Sequence, residues 1–202
     1  MFIDYQKTIH LKMKNSLLLL VLLLSSVFLF AQEQTTSEKF WKQLETLCGK
    51  SYQGEIISGG VAGDGFTGKK LVMHVRSCET NDIRIPFFVG EDKSRTWVLH
   101  KNSAKILSLK HDHRNPDGTE EKLTQYGGTS TNFGMADLQI FPADAHTTEI
   151  LPQAATNVWW FTIDATSFTY NLKRIGSDRL FTVKFDLTKT VATPTAPWGT
   201  KE

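Results

Sequence analysis

Apolar and polar side chains alternate along most of this sequence. In DIRIPFFVG, Ile83, Ile85, Phe87 and Val89 fall on one face. Phe168, Tyr170 and Leu172 share a face in SFTYNLKR; Phe181, Val183, Phe185 and Leu187 do so in LFTVKFDL, with Thr182, Lys184 and Asp186 opposite. Successive side chains of a strand point to opposite sides, so each segment has one dry and one wet face. About ten such segments follow from this pattern, beginning near Lys50, Lys69, Asp82, Arg95, Lys105, Glu120, Asp137, Val158, Phe168 and Arg179. The breaks between them, such as CETND, GEDKS, RNPDG and IGSD, are short and rich in turn residues. Short turns join antiparallel neighbours, which predicts a meander.

The period changes in two places. TSEKFWKQLETLCG sets Phe40, Trp41, Leu44 and Leu47 at helical spacing, with Ser37 as the expected N-cap and Gly49 as the stop. FPADAHTTEILPQAATN interrupts the strands and has room for one or two helical turns. TVATPTAPWGTKE closes the chain as an extended tail, because its prolines cannot continue a ladder. Sequential antiparallel strands must bury their apolar faces. Closing the sheet into a barrel does this and removes the edges; a two-sheet sandwich is the alternative. The expected fold is therefore all-β, an antiparallel meander barrel of about ten strands capped by a short N-terminal helix.

The N-terminus changes the picture of where the fold resides. Lys14 precedes an apolar run, residues 17–30, broken only by Ser25 and Ser26, and Ala31 follows. This basic, apolar, small-residue order is that of a secretory signal peptide. The run falls short of the roughly 20 residues of a membrane span. The expected organisation is a signal peptide over residues 1–31, one barrel domain over 32–190 and a tail over 191–202, in an exported protein with no membrane span after cleavage. Removing Lys7, Lys12, Lys14 and Asp4 brings 23 basic and 21 acidic side chains to parity. A neutral, mixed surface gives no footprint for nucleic acid or acidic membranes. Cys48 and Cys78, an even pair in an exported chain, predict a disulfide from the end of the helix to the end of the second strand.

A short helix leading into CGKSYQGEI and then meander strands resembles the calycins: lipocalins, fatty-acid-binding proteins and nitrobindin-like proteins. The resemblance covers the architecture of residues 38–190. It implies a barrel with a helix closing one end and an aromatic of the first strand packed over it. Tyr52, followed by Gly54, takes that place, and Arg174 takes that of a late-strand basic residue packed near the aromatic. Lys50 and Tyr52 stand where the family motif has glycine and tryptophan. No histidine follows His146, where a nitrobindin-like protein would carry its haem ligand.

Candidate chemistry centres on LSLKHDHRNPDG. If Leu107 and Leu109 point inward, His111 and His113 share their face and lie at the barrel mouth; the opposite register turns both outward. Two imidazoles two apart on a strand are able to share zinc or copper, with a third ligand sought among His74, His100, Asp144 and His146. The other reading makes them rim side chains bonded to neighbours or water. No Gly-x-Ser-x-Gly motif occurs, and SGGVAGDGFTGKK joins two strands, so it reads as a lid or hairpin tip and not a phosphate loop. Arg76, Arg84 and Arg95 are either surface ion pairs with Glu79, Asp82 or Asp92, or inward clamps for a carboxylate, as the resemblance to fatty-acid carriers implies. Trp97, Trp159 and Phe161 are either pocket wall or core. The leading expectation is a barrel binding a small, mostly apolar molecule without covalent chemistry, with Tyr52, His111, His113, Tyr170 and Arg174 at the pocket and its mouth. The sequence names no cofactor. The alternatives are a metal-dependent hydrolase or isomerase built on His111 and His113, and a solid barrel acting as an interaction domain.

Overall fold

The computed structural model describes residues 33–200, together with Lys7, Ile9, His10, Lys12, Met13 and Lys14. The remainder of the expected signal peptide lies outside the described residues. The chain divides into Met1–Gln34 and Thr35–Glu202, and the barrel is the second unit. No helix among the described residues is long and apolar enough to cross a membrane.

Helix α1 (Thr36–Glu45) opens the unit. Its cap is Thr35 and not Ser37: Thr35 Oγ1 accepts the Glu38 N–H, and Glu38 returns a carboxylate oxygen to the Thr35 N–H. This reciprocal box outcompetes a lone serine two residues on. Ser37 is instead fully buried and donates to the Lys105 carbonyl at 2.6 Å. Phe40, Trp41 and Leu44 form the buried face. After the helix Gly49, at φ +77°, turns the chain, and Cys48 bonds to Cys78 with Cα atoms 6.3 Å apart.

Eleven strands follow: β1 (Ser51–Ser58), β2 (Leu71–His74), β3 (Ser77–Cys78), β4 (Asp82–Val89), β5 (Asp92–Lys101), β6 (Leu107–His113), β7 (Tyr126–Thr129), β8 (Leu138–Pro142), β9 (Asn157–Ile163), β10 (Ser167–Arg174) and β11 (Leu180–Asp186). The eleventh is the two-residue β3, which pairs with β4 beside the disulfide. All pairings are antiparallel, in the order β7-β6-β5-β4-β2-β1-β11-β10-β9-β8. The strand expected near Glu120 starts instead at Tyr126, because Asn115 to Thr119 tightens into a hydrogen-bonded turn and Glu120 forms only an isolated bridge to Arg114. Between β8 and β9 lie α2 (Ala145–Ile150) and a short 3-10 turn at Pro152–Ala154.

The sheet curls into a nearly closed barrel because β7 and β8 meet at a single bridge, Gly128 to Ala143. Backbones touch here: a Cβ on Gly128 would sit 1.9 Å from the Pro142 carbonyl oxygen. Side chains close what the ladder leaves open. Buried Thr147, from α2, accepts the Gly127 N–H at 2.6 Å and donates to the Gly127 carbonyl at 2.7 Å. Ser130 donates to the Ile140 carbonyl at 2.9 Å. These hydroxyls satisfy edge groups that would otherwise template pairing with another chain.

The extended tail is a strap on the outside of the barrel. Val191 donates to the Ser51 carbonyl, and Trp198 donates to the Lys93 carbonyl. Between those anchors lies the outer side of β2 and β4. There Val72 and Phe88 are 4 % exposed although they point away from the core cluster, which takes their neighbours Leu71, Met73, Phe87 and Val89.

Candidate functional site

The two ends of the barrel differ. Phe40, Trp41, Leu44, Tyr52, Leu99, Leu109, Phe168 and Phe185 pack the α1 end, in a buried cluster that continues to Phe87, Trp97, Trp159 and Tyr170 at the base of the other half. The opposite half holds a cavity of about 880 Å³, lined by the mouth ends of the strands and by the β1–β2 loop. The interior is solid at one end and hollow at the other.

The cavity wall is aromatic. Phe87 stacks on Trp97 at 4.8 Å between ring centroids, and Trp97 stacks on Tyr170 at 4.5 Å. Trp159, on β9 beside β10, is tilted against His111 at 5.3 Å. Trp97 registers with His111 across β5 and β6, while Trp159 registers with Leu172, two residues from Tyr170, across β9 and β10 on the other side of the barrel. The β1–β2 loop contributes Phe66, which packs against Phe87 and Phe181 with Arg95 lying over its other side at 5.2 Å. That loop is a pinned turn: Asp64 accepts the N–H groups of Val61, Phe66 and Thr67 and the Thr67 hydroxyl. Those donors hold the Asp64 carboxyl well below the usual carboxylate range.

His111 and His113 do face inward, with Leu107 and Leu109, so the first register is the one adopted. His111 is 4 % exposed, and both of its ring nitrogens are engaged. Nδ1 lies 3.1 Å from the Tyr126 carbonyl oxygen, which only accepts, so the proton sits on Nδ1. Nε2 therefore accepts from the Tyr170 hydroxyl at 3.0 Å. His113 Nε2 lies 3.1 Å from the Tyr126 hydroxyl, and its Nδ1 faces Glu121 at 3.6 Å. Burial pushes the His111 pKa down to about 3, and burial together with the Arg95 charge pushes that of His113 down to about 4. Burial also raises the Tyr126 hydroxyl to about 12 and Tyr170 well above its ordinary value. At neutral pH the cluster is a chain of uncharged donors and acceptors.

Of the sequence candidates, His111, His113, Tyr170 and Arg174 line this one cavity. Tyr52 does not. It sits at the α1 end, 2 % exposed in the cluster that contains Phe40 and Trp41. The expected packing of Arg174 near Tyr52 does not occur: Gly54 pairs with Phe185 and Phe185 with Phe168, at the far end of β10 from Arg174. Arg174 instead donates from Nε to Asn157 Oδ1 at 3.0 Å at the cavity rim. The candidate third metal ligands lie apart: His100 pairs with Asp82, Asp144 with Lys110, and His74 registers with Ser51 at the α1 end. Among the described residues no group of three His, Cys, Asp or Glu side chains is placed to hold a metal. Arg84 faces outward toward Asp112 at 3.4 Å, whereas Arg95 lines the cavity and is paired with Asp92.

Sequence reasoning missed Tyr126, Phe66 and Arg179, all of which line the cavity. Tyr126 begins a four-residue strand followed by Gly127 and Gly128, too short to show alternation. Gln125 before it has φ +60°, a left-handed conformation that no residue pattern announced. No family model, curated protein or solved structure matches this chain.

Proposed function

We propose that this chain is an exported, calycin-like carrier or sensor that binds a small, mostly apolar molecule in the open half of its barrel, without covalent chemistry. The observation that carries this reading is the aromatic-walled cavity of about 880 Å³ above a solid core. Small-molecule sites are concave, largely apolar and carry a few placed polar groups, within a range of roughly 300–1,000 Å³. The polar groups here are the neutral histidine–tyrosine chain and the rim arginines. The disulfide Cys48–Cys78 fits an oxidising compartment, and the signal-like leader supplies the route there.

Native mass spectrometry of the protein purified from an exporting host tests both parts. The expected chain begins after residue 31 and carries, or takes up from added N-phenyl-1-naphthylamine, an organic mass lost on denaturation. A chain that keeps its leader refutes export by cleavage. A bare mass that takes up no probe refutes the carrier reading and favours an interaction domain.

A further inference from the structure

Five charged groups besides His113 meet the cavity, and two of them already have partners. Asp64 is consumed by the N–H groups of its own loop, and Arg95 is paired with Asp92 and stacked over Phe66. Arg174 and Arg179 are different. They stand opposite each other on the β10–β11 hairpin, where the Arg174 N–H donates to the Arg179 carbonyl. Among the described residues neither guanidinium forms an ion pair, and the sole side-chain bond of Arg174 is from Nε to buried Asn157. That bond orients the fork and leaves its two terminal nitrogens unbonded. Arg179 lines the same cavity as Tyr126 and Tyr170. Asp178, on the same hairpin, also lines the cavity without pairing to either. The balance of unpaired charge at the rim is one positive.

We infer that the ligand is an amphipathic anion, seated with its apolar body against Trp97 and Tyr170 and its acidic group at the rim between Arg174 and Arg179. This rests on the carrier reading above. Two unpaired forks beside an apolar wall match a carboxylate, sulfonate or phosphate, because planar guanidinium groups donate in pairs to such oxygens. An uncharged ligand would leave both forks to water and gain nothing from them. The rim is partly open, so the attraction is screened by salt and weakens as ionic strength rises.

The test compares two probes with one ring system: anionic 1-anilinonaphthalene-8-sulfonate and uncharged N-phenyl-1-naphthylamine, titrated by fluorescence into the mature full-length protein. The expected result is that both bind. The Arg174→Gln/Arg179→Gln variant then loses about tenfold in affinity for the anion and keeps its affinity for the neutral probe, and the wild-type loss with salt shrinks. If neither probe binds, the carrier reading falls and this inference with it. If both bind and the variant holds the anion as tightly as wild type, the anion inference alone is overturned. Should the glutamine variant lose the neutral probe too, Arg174→Lys/Arg179→Lys decides: it must retain a salt-sensitive preference for the anion, and loss of that preference with neutral binding intact refutes the assignment.

Discussion

Lowering the pH attacks this fold through buried histidines, chiefly His111 and His113 with His74 adding a smaller share, before it reaches the carboxylates. His111 and His113 are neutral in the folded protein, with pKa values pushed down to about 3 and about 4 by burial. In the unfolded chain an imidazole titrates near 6.5. As pH falls below that value the unfolded chain takes up protons that the folded chain refuses, so stability is lost. The loss begins near pH 6.5 and continues until each folded pKa is reached. Within that window each histidine contributes a slope of at most about 1.4 kcal/mol per pH unit, the two together at most about 3. The side chain of His113 is 13 % exposed, and water there reduces its share. The lowered carboxylates, Glu38, Asp64, Asp92, Asp117, Asp144, Asp164 and Asp186, add most of their losses below about pH 4.5, as unfolded carboxylates titrate. Between pH 6.5 and 4.5 the slope therefore belongs to the histidines. A domain with a total stability of about 5–15 kcal/mol loses a large part of it across those two units. The assay is urea unfolding at pH 7.5, 6.5, 5.5 and 4.5 for the wild type, His113→Gln and His111→Gln. The expected slope is steep in the wild type and reduced in each variant, although the His111 variant starts less stable because the Tyr170 hydroxyl loses its acceptor. A wild-type stability that stays flat from pH 6.5 to 4.5 refutes the neutral, desolvated cluster. An unchanged slope in both variants refutes the assignment to these residues.

Three further outcomes follow from the packing. Thr147→Val keeps the shape at the barrel seam but removes the 2.6 Å partner of the Gly127 N–H and leaves its carbonyl only the Asp144 N–H; a loss of about 1–3 kcal/mol is expected in urea melts, and a neutral result removes the seam role. Cys48→Ser/Cys78→Ser opens a link across a sequence separation of 30, expected to cost about 3–4 kcal/mol by loop entropy; unchanged melting of the double variant contradicts it. Ending the chain at residue 190 uncovers Val72 and Phe88, for about 2–4 kcal/mol, and equal stability of the shortened protein shows that the tail is not what covers them.

Much of the architecture was legible because period-two alternation is a local signal. The faces built on Ile83, Phe168 and Phe181 needed no knowledge of their partners, and turn residues between them specified antiparallel neighbours. The inward register of His111 could be followed from Leu107 and Leu109 along one strand. Cys48 and Cys78 were a pair by count alone. Where two local signals competed, as between Thr35 and Ser37, geometry chose: Glu38 lies at the spacing that completes a reciprocal box with Thr35.

The sequence by itself thus determined strand faces, the capping helix, the cysteine pair and the order of the meander. The tertiary structure alone decided which end of the barrel is full and which is hollow. Tyr52 and Arg174, expected to pack together, lie at opposite ends, because register between strands sets their height and no single strand encodes it. Tyr126 joined the site through a carbonyl and a hydroxyl that meet two histidines across β6 and β7. The tail became a strap through bonds to Ser51 on β1 and Lys93 on β5, strands far from it in the chain. Each of these depends on contacts between residues far apart in the chain, where alternation says which side a residue faces and nothing about what it meets there.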